Sequence, residues 1–131
     1  MATLFTRIIQ GEIPCHKIAE TADYLAFLDI SPVEKGHALV IPKKEVDYIF
    51  DLEDDLLAGL HLFAKKIAKA IESVVPCKRI GVAVVGLEVP HTHLHLIPLH
   101  GIDSLNFGKQ RVKMTSGELA SLAIEIGTAI K

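Results

Sequence analysis

Apolar residues recur along this 131-residue chain with two periods, and the switches between them mark its elements. Leu4, Phe5, Ile8 and Ile9 fall at helical spacing within residues 3–10, and Gly11 is a natural stop. Glu12-Ile13-Pro14 reads as a connector, because the residue before a proline is pushed out of the helical region. Residues 16–20 read as a first strand, and residues 24–30 (YLAFLDI) as a stronger second one. The turn-forming run SPVEKG (31–36) leads into the apolar run HALVI (37–41), which Pro42 closes. Two strands joined by so short a loop predict an antiparallel hairpin.

Residues 51–75 predict the longest helix, since Leu56, Leu60, Phe63, Ile67, Ile71 and Val74 recur every three or four positions. Asp51, Glu53, Asp54 and Asp55 crowd its start and Lys65, Lys66 and Lys69 follow, an order that suits the helix dipole. His61, at the boundary of that apolar stripe, reads as a surface or half-buried residue rather than a catalyst. Pro76 ends the helix, and RIGVAVV (79–85) reads as a buried strand. Residues 90–98 (PHTHLHLIP) alternate with period 2 between two prolines and read as the next strand. Residues 101–114 are polar with two glycines and read as loop. Thr115-Ser116-Gly117-Glu118 then matches a capping box that opens a last amphipathic helix. The sum is one α+β domain over residues 1–131, a five-stranded antiparallel sheet with one long and two short helices.

Composition narrows the classes of partner. A formal charge of -2 leaves no basic footprint, so nucleic acid is not expected as a partner. No apolar run approaches the roughly 20 residues of a membrane span, so no membrane partner is expected. The N-terminal stretch lacks the charged-then-apolar pattern of a signal peptide. Cys15 and Cys77 lie too far apart in sequence to read as a disulfide framework or redox pair. Both are expected as free thiols, and the chain as cytoplasmic.

The candidate chemistry lies in residues 90–98. In a strand, His91, His93 and His95 share one face, with roughly 6.6 Å of rise between neighbours. Leu94 and Leu96 then point the other way, into a core. Three imidazoles are not needed to cover a sheet, where Val, Ile or Thr serve better. Two chemistries fit. The histidines supply ligands to a metal ion, with Glu88 the one carboxylate close by in sequence. Alternatively, one imidazole is a nucleophile oriented by its neighbours while another binds or protonates the transferring group. The local pattern leaves both open.

Taken with two upstream segments, this strand resembles the histidine-triad family of nucleotide hydrolases and transferases. The family's His-x-His-x-His signature followed by apolar residues is met by His91-Thr92-His93-Leu94-His95-Leu96-Ile97. Phe27 to Ile30 and Gly36 to Lys43 resemble its nucleotide-pocket strand and the strand after it, while Phe5 to Ile8 and Gly11 to Pro14 resemble its opening segment. The resemblance implies that His93 attacks the α-phosphorus, His95 hydrogen-bonds a phosphate oxygen, His91 completes the site and His37 supports it from the neighbouring strand. It implies that Asp29 accepts bonds from the ribose hydroxyls, and that Phe5, Ile8, Ile13, Phe27 and Ile30 form an apolar slot for the base. The implied substrate is a purine nucleotide derivative, the implied assembly a homodimer, and no metal or other cofactor is needed for the nucleophilic step.

The chain departs from that family in two places. Many members hold a structural zinc through cysteines and a histidine, where this sequence has Thr3, Thr6 and Glu45. That set is a poor zinc site, so none is expected. The loop before the triad, Gly86-Leu87-Glu88-Val89-Pro90, is short and lacks the family's polar donors. Glu88 is expected beside the nucleotide phosphates, where an unpaired carboxylate weakens polyphosphate binding; the alternatives are a hydrogen bond to a histidine or a position turned to solvent.

Overall fold

The computed structural model describes residues 2–131. Strands β1 (Lys17–Glu20), β2 (Tyr24–Leu28), β3 (Ala38–Pro42), β4 (Arg79–Ala83) and β5 (Leu94–Leu99) form one antiparallel sheet ordered β1-β2-β3-β5-β4. Helices α1 (Leu4–Ile9), α2 (Asp54–Val74) and α3 (Ser116–Thr128) complete the regular structure, with single 3-10 turns at Ile49–Asp51 and Ile102–Leu105. The α+β class, the five antiparallel strands and the β2–β3 hairpin are as the sequence pattern predicts.

The period-2 pattern sends alternate side chains to two different cores. Ala26, Leu28, Ala38, Val40, Leu94 and Leu96 meet Leu60, Ile67 and Ile71 of α2 and Leu122 and Ile126 of α3. Burying each large aliphatic side chain there contributes roughly 1.5–3 kcal/mol. On the opposite face, Leu25, Phe27, Leu39 and Ile41 pack with Phe5 of α1. His95 lies opposite Leu39 in the β3–β5 register, so its ring shares this second face. The stripe of α2 thus covers one side of the sheet and leaves the histidine side for the short α1.

Both the first and the last helix are capped by a threonine. Thr3 caps α1 by accepting from Thr6 N–H. Thr115 and Glu118 form the reciprocal capping box of α3. The helix predicted over 51–75 begins later, at Asp54, because residues 49–51 form a separate 3-10 turn.

Two strand expectations are corrected. The run 79–85 is not a buried strand: it pairs only through Ala83, lies at the sheet edge, and leaves Val82, Val84 and Val85 exposed. Its β-branched residues serve an edge, where one side of the ladder has no partner. The strand predicted from Pro90 starts at Leu94 and continues through Pro98 to Leu99. Residues 91 and 92 leave the ladder because His91 N–H donates to Val89 O and Thr92 N–H to Val46 O. Pro98 is tolerated inside the strand for a positional reason. Leu99 O accepts from Lys78 on the β4 side, so Pro98 faces the β3 side, where pairing has ended at Leu96.

Candidate functional site

Two backbone features place the four histidines. Gly36 adopts φ 94°, which an L side chain rarely accepts, and this turn delivers His37 to the start of β3. His95 projects from β5 opposite Leu39, diagonal to His37, while His91 and His93 come from the irregular segment that precedes β5. The sheet therefore brings together residues 58 positions apart, and His37 Nε2 lies 2.8 Å from His95 Nδ1.

The hydrogen bonds select the tautomer of each ring. Val33 N–H donates to His37 Nδ1 at 3.2 Å, so His37 carries its proton on Nε2 and donates it to His95 Nδ1. His95 in turn must carry its proton on Nε2, which faces the open cleft. His93 Nδ1 donates to His91 O at 2.8 Å, leaving its Nε2 with an available lone pair. His91 Nε2 donates to Pro42 O at 2.8 Å, and its Nδ1 accepts from the Thr3 hydroxyl at 3.0 Å. One ring thus presents a lone pair and its neighbour a donor. Their centroids are 5.1 Å apart.

Burial sets the charge of the supporting rings. It lowers His37 and His95 to about 4, helped for His95 by its histidine neighbours. Burial also lowers His91. Each of the first two titrates near 6.5 in an unfolded chain, so between about 4 and 6.5 the unfolded state binds protons that the folded state refuses. Stability therefore rises with pH across that window and is lost as pH falls from about 6.5 to about 4. Urea unfolding midpoints at pH 7.5 and 4.5 check this, and equal midpoints would refute it.

The apolar slot residues converge on the same place. Phe5, Ile8, Ile13, Phe27 and Ile30 line one cleft with Asp29, Glu88, His93 and His95. Phe5 packs edge-on against His93 at 5.0 Å and Phe27 at 5.7 Å, which holds the ring of His93 upright. Phe27 forms the cleft floor, while Ile30 is 74% exposed and stands at the rim. Asp29 accepts from Ser31 N–H at 2.8 Å, and its other oxygen lies 3.7 Å from His37 Nε2. Burial raises its pKa, against the lowering by the Ser31 bond. Glu88 is exposed at the mouth.

The sequence pattern did not single out Phe107 and Arg111. Both lie in the stretch read as featureless loop, yet they line a second cleft that shares Asp29, Glu88, His93 and His95. Phe107 stacks edge-on against His95 at 4.9 Å, and Arg111 is held by Ser31 O and Phe107 O. An aromatic and an arginine within a polar loop just after the histidines were the available signal.

Neither metal reading finds a suitable donor set among the described residues. Thr3, Thr6, Glu45 and His91 do meet, as a hydrogen-bonded knot in which Glu45 accepts from Thr6 Oγ1 at 2.6 Å and from Thr3 N–H at 3.0 Å. Neutral hydroxyls and one shared carboxylate do not suit zinc. His91, His93 and His95 do not converge as ligands either, since both nitrogens of His91 are engaged. Asp29, His37 and His95 do bring one potential ligand atom each within 4.8 Å of one another. There both nitrogens of His37 are occupied in the relay, so no lone pair is free for an ion.

Comparison with known proteins identifies the family and the fold. A family model described as the HIT domain matches residues 10–102. The chain is 39% identical over 134 residues to adenosine 5'-monophosphoramidase hnt1 of Schizosaccharomyces pombe, covering 100% of both. Among solved structures, a Hit-like protein from Bartonella henselae superposes with TM-score 0.85 at 30% identity, covering 98% of this chain and 96% of that one. A zinc-bound histidine triad protein from Mycobacterium smegmatis superposes with TM-score 0.84 at 27% identity, covering 98% and 93%. With its histidine relay, its sheet and its sequence all in agreement, the chain belongs to the histidine-triad (HIT) family.

Proposed function

We propose that the protein is a nucleotide hydrolase or transferase that cleaves the bond between the α-phosphorus of a nucleoside monophosphate and its leaving group. The observation that carries this reading is the pair of opposed tautomers, a lone pair on His93 Nε2 beside a proton on His95 Nε2. His93 Nε2 attacks phosphorus and forms an N–P bond, while the P–N or P–O bond to the leaving group breaks and its electron pair departs with that group. Water then attacks phosphorus, the N–P bond breaks, and the nucleoside monophosphate leaves with His93 restored. His95 Nε2–H donates to the phosphoryl oxygen where charge gathers. His91 fixes the carbonyl that selects the His93 tautomer, and His37 fixes that of His95.

The apolar slot of Phe5, Ile8, Ile13, Phe27 and Ile30 suits a purine, with Asp29 positioned for a vicinal diol rather than for phosphate. Purine phosphoramidates are the substrate class nearest the yeast relative's name, and dinucleoside polyphosphates are the alternative. No metal takes part in the nucleophilic step of this reading. A homodimer is part of it as well, supported by the exposed edge strand β4 and the exposed Tyr48, Phe50 and Val82.

The decisive experiment is brief exposure to an adenosine phosphoramidate in chelator, followed by mass spectrometry of the intact protein. One added adenylyl group is expected. Hydrolysis that stops in chelator would favour a metal-dependent enzyme, and bound nucleotide with neither adduct nor turnover a binding protein. Glu88 supplies a further check. Its carboxylate at the cleft mouth repels a polyphosphate, so Glu88→Gln is expected to lower KM for a dinucleoside polyphosphate by about two- to tenfold. An unchanged KM removes Glu88 from the binding account.

A further inference from the structure

Three clefts reach the histidines and differ in chemistry; the third, beside Tyr48, Phe50, His61 and Thr92, touches His93 alone of the triad and has no lysine or arginine among its described lining residues. The first is the apolar slot. The second runs past His93 and His95 to Ser31, Phe107 and Arg111, and Arg111 is the one lysine or arginine among its described lining residues. In an in-line displacement the nucleophile and the leaving group lie on opposite sides of phosphorus. With the nucleoside in the first cleft, the second is the one that reaches both His93 and His95 and also offers a departing anion a cation.

Arg111 is fixed in place but not used up. Its two terminal nitrogens donate to Ser31 O at 2.8 Å and Phe107 O at 3.1 Å, leaving three of its five N–H donors without a protein partner in the described structure. It forms no carboxylate ion pair among the described residues, although Asp29 shares the cleft. Its segment is tied at two more points, Val112 N–H to Pro32 O at 2.8 Å and Lys109 Nζ to Glu34 Oε2 at 3.0 Å. The charge is felt at the relay rings, since Arg111 adds to the burial that lowers both His37 and His95. A held cation with spare donors at the far end of a phosphate site is an anion receptor.

We infer that Arg111 is a specificity-determining residue that binds the phosphate of an anionic leaving group, so that a phosphoanhydride is preferred over a phosphoramidate with an uncharged amine. It takes the place of the polar donors missing from the short loop 86–90. As the P–O bond of an anhydride breaks, its electron pair stays on the bridging oxygen, and the new charge on the leaving phosphate is met by the guanidinium. Phe107, edge-on to His95, closes the cleft beside it. This inference rests on the nucleotidyl-transfer reading above.

The test compares kcat/KM for a dinucleoside polyphosphate and for an adenosine phosphoramidate in the parent, Arg111→Ala and Arg111→Lys. In Arg111→Ala the ratio of polyphosphate to phosphoramidate efficiency is expected to fall about 10- to 100-fold, the range for a lost charge-assisted hydrogen bond. Arg111→Lys, which keeps the charge but not the fork to two carbonyls, is expected to recover most of that ratio. An equal loss on both substrates without rescue by lysine marks Arg111 as a tie for its loop and overturns the inference, as does an unchanged ratio. A parent that turns over the phosphoramidate but not the polyphosphate overturns this inference and leaves the nucleotidyl-transfer reading intact. A parent that turns over neither, with no adduct, overturns both.

Discussion

His93→Ala is expected to lower kcat by about 10⁴-fold or more on any substrate and to abolish the covalent nucleotide adduct. The size follows from what the side chain supplies. Removing a nucleophile removes a whole reaction path, and its neighbours cannot substitute. His95 presents a proton rather than a lone pair, and His91 has both nitrogens committed to Thr3 and Pro42. Nucleotide binding is expected to survive, because the slot of Phe5, Ile13 and Phe27 and the Asp29 carboxylate do not depend on the ring. Loss of turnover with retained binding, read by calorimetry and intact-protein mass spectrometry, supports the assignment. A His93→Ala protein that still forms the adduct would move the nucleophile elsewhere.

His37→Leu is expected to lower kcat by about 10²-fold while leaving nucleotide affinity within a few-fold. His37 is fully buried and touches no open cleft, so its effect passes through His95. Without the Nε2–H donated to His95 Nδ1, the His95 ring is free to hold its proton on either nitrogen. The tautomer that donates to a phosphoryl oxygen is then only part of the population. Leucine also leaves Val33 N–H without its acceptor, at a cost of about 1–3 kcal/mol. Against that, it removes one buried imidazole that titrates near 4, so the acid sensitivity of stability should weaken. Activity unchanged by His37→Leu would show that the relay is not needed, and a steeper loss of stability in acid would contradict the burial argument.

The chain's own order made much of this visible before any fold. The apolar stripe from Leu56 to Val74 could only be a helix lying on a sheet, and its partner face is the one carrying Leu94 and Leu96. Alternation at 91–97 placed the histidines away from that face, and the segment order matched the family. Less legible was where pairing stops. Residues 79–85 and 90–93 look like strand because Val and alternating residues favour extended backbone. Whether extended backbone joins a ladder depends on the partner available, and Thr92 finds Val46 while Val84 and Val85 are not paired in β4.

Local pattern by itself determined the class of fold, the two faces of the sheet and which residue types carry the chemistry, because periodicity and the chemical type of each side chain are properties of short stretches. Tertiary structure alone decided the protonation pattern and the second cleft. Val33, His37 and His95 form their relay across two paired strands, and Arg111 reaches the site only because its loop is pinned to Ser31, Pro32 and Glu34. Those contacts join residues up to 80 positions apart, and no spacing in the chain encodes which nitrogen meets which proton.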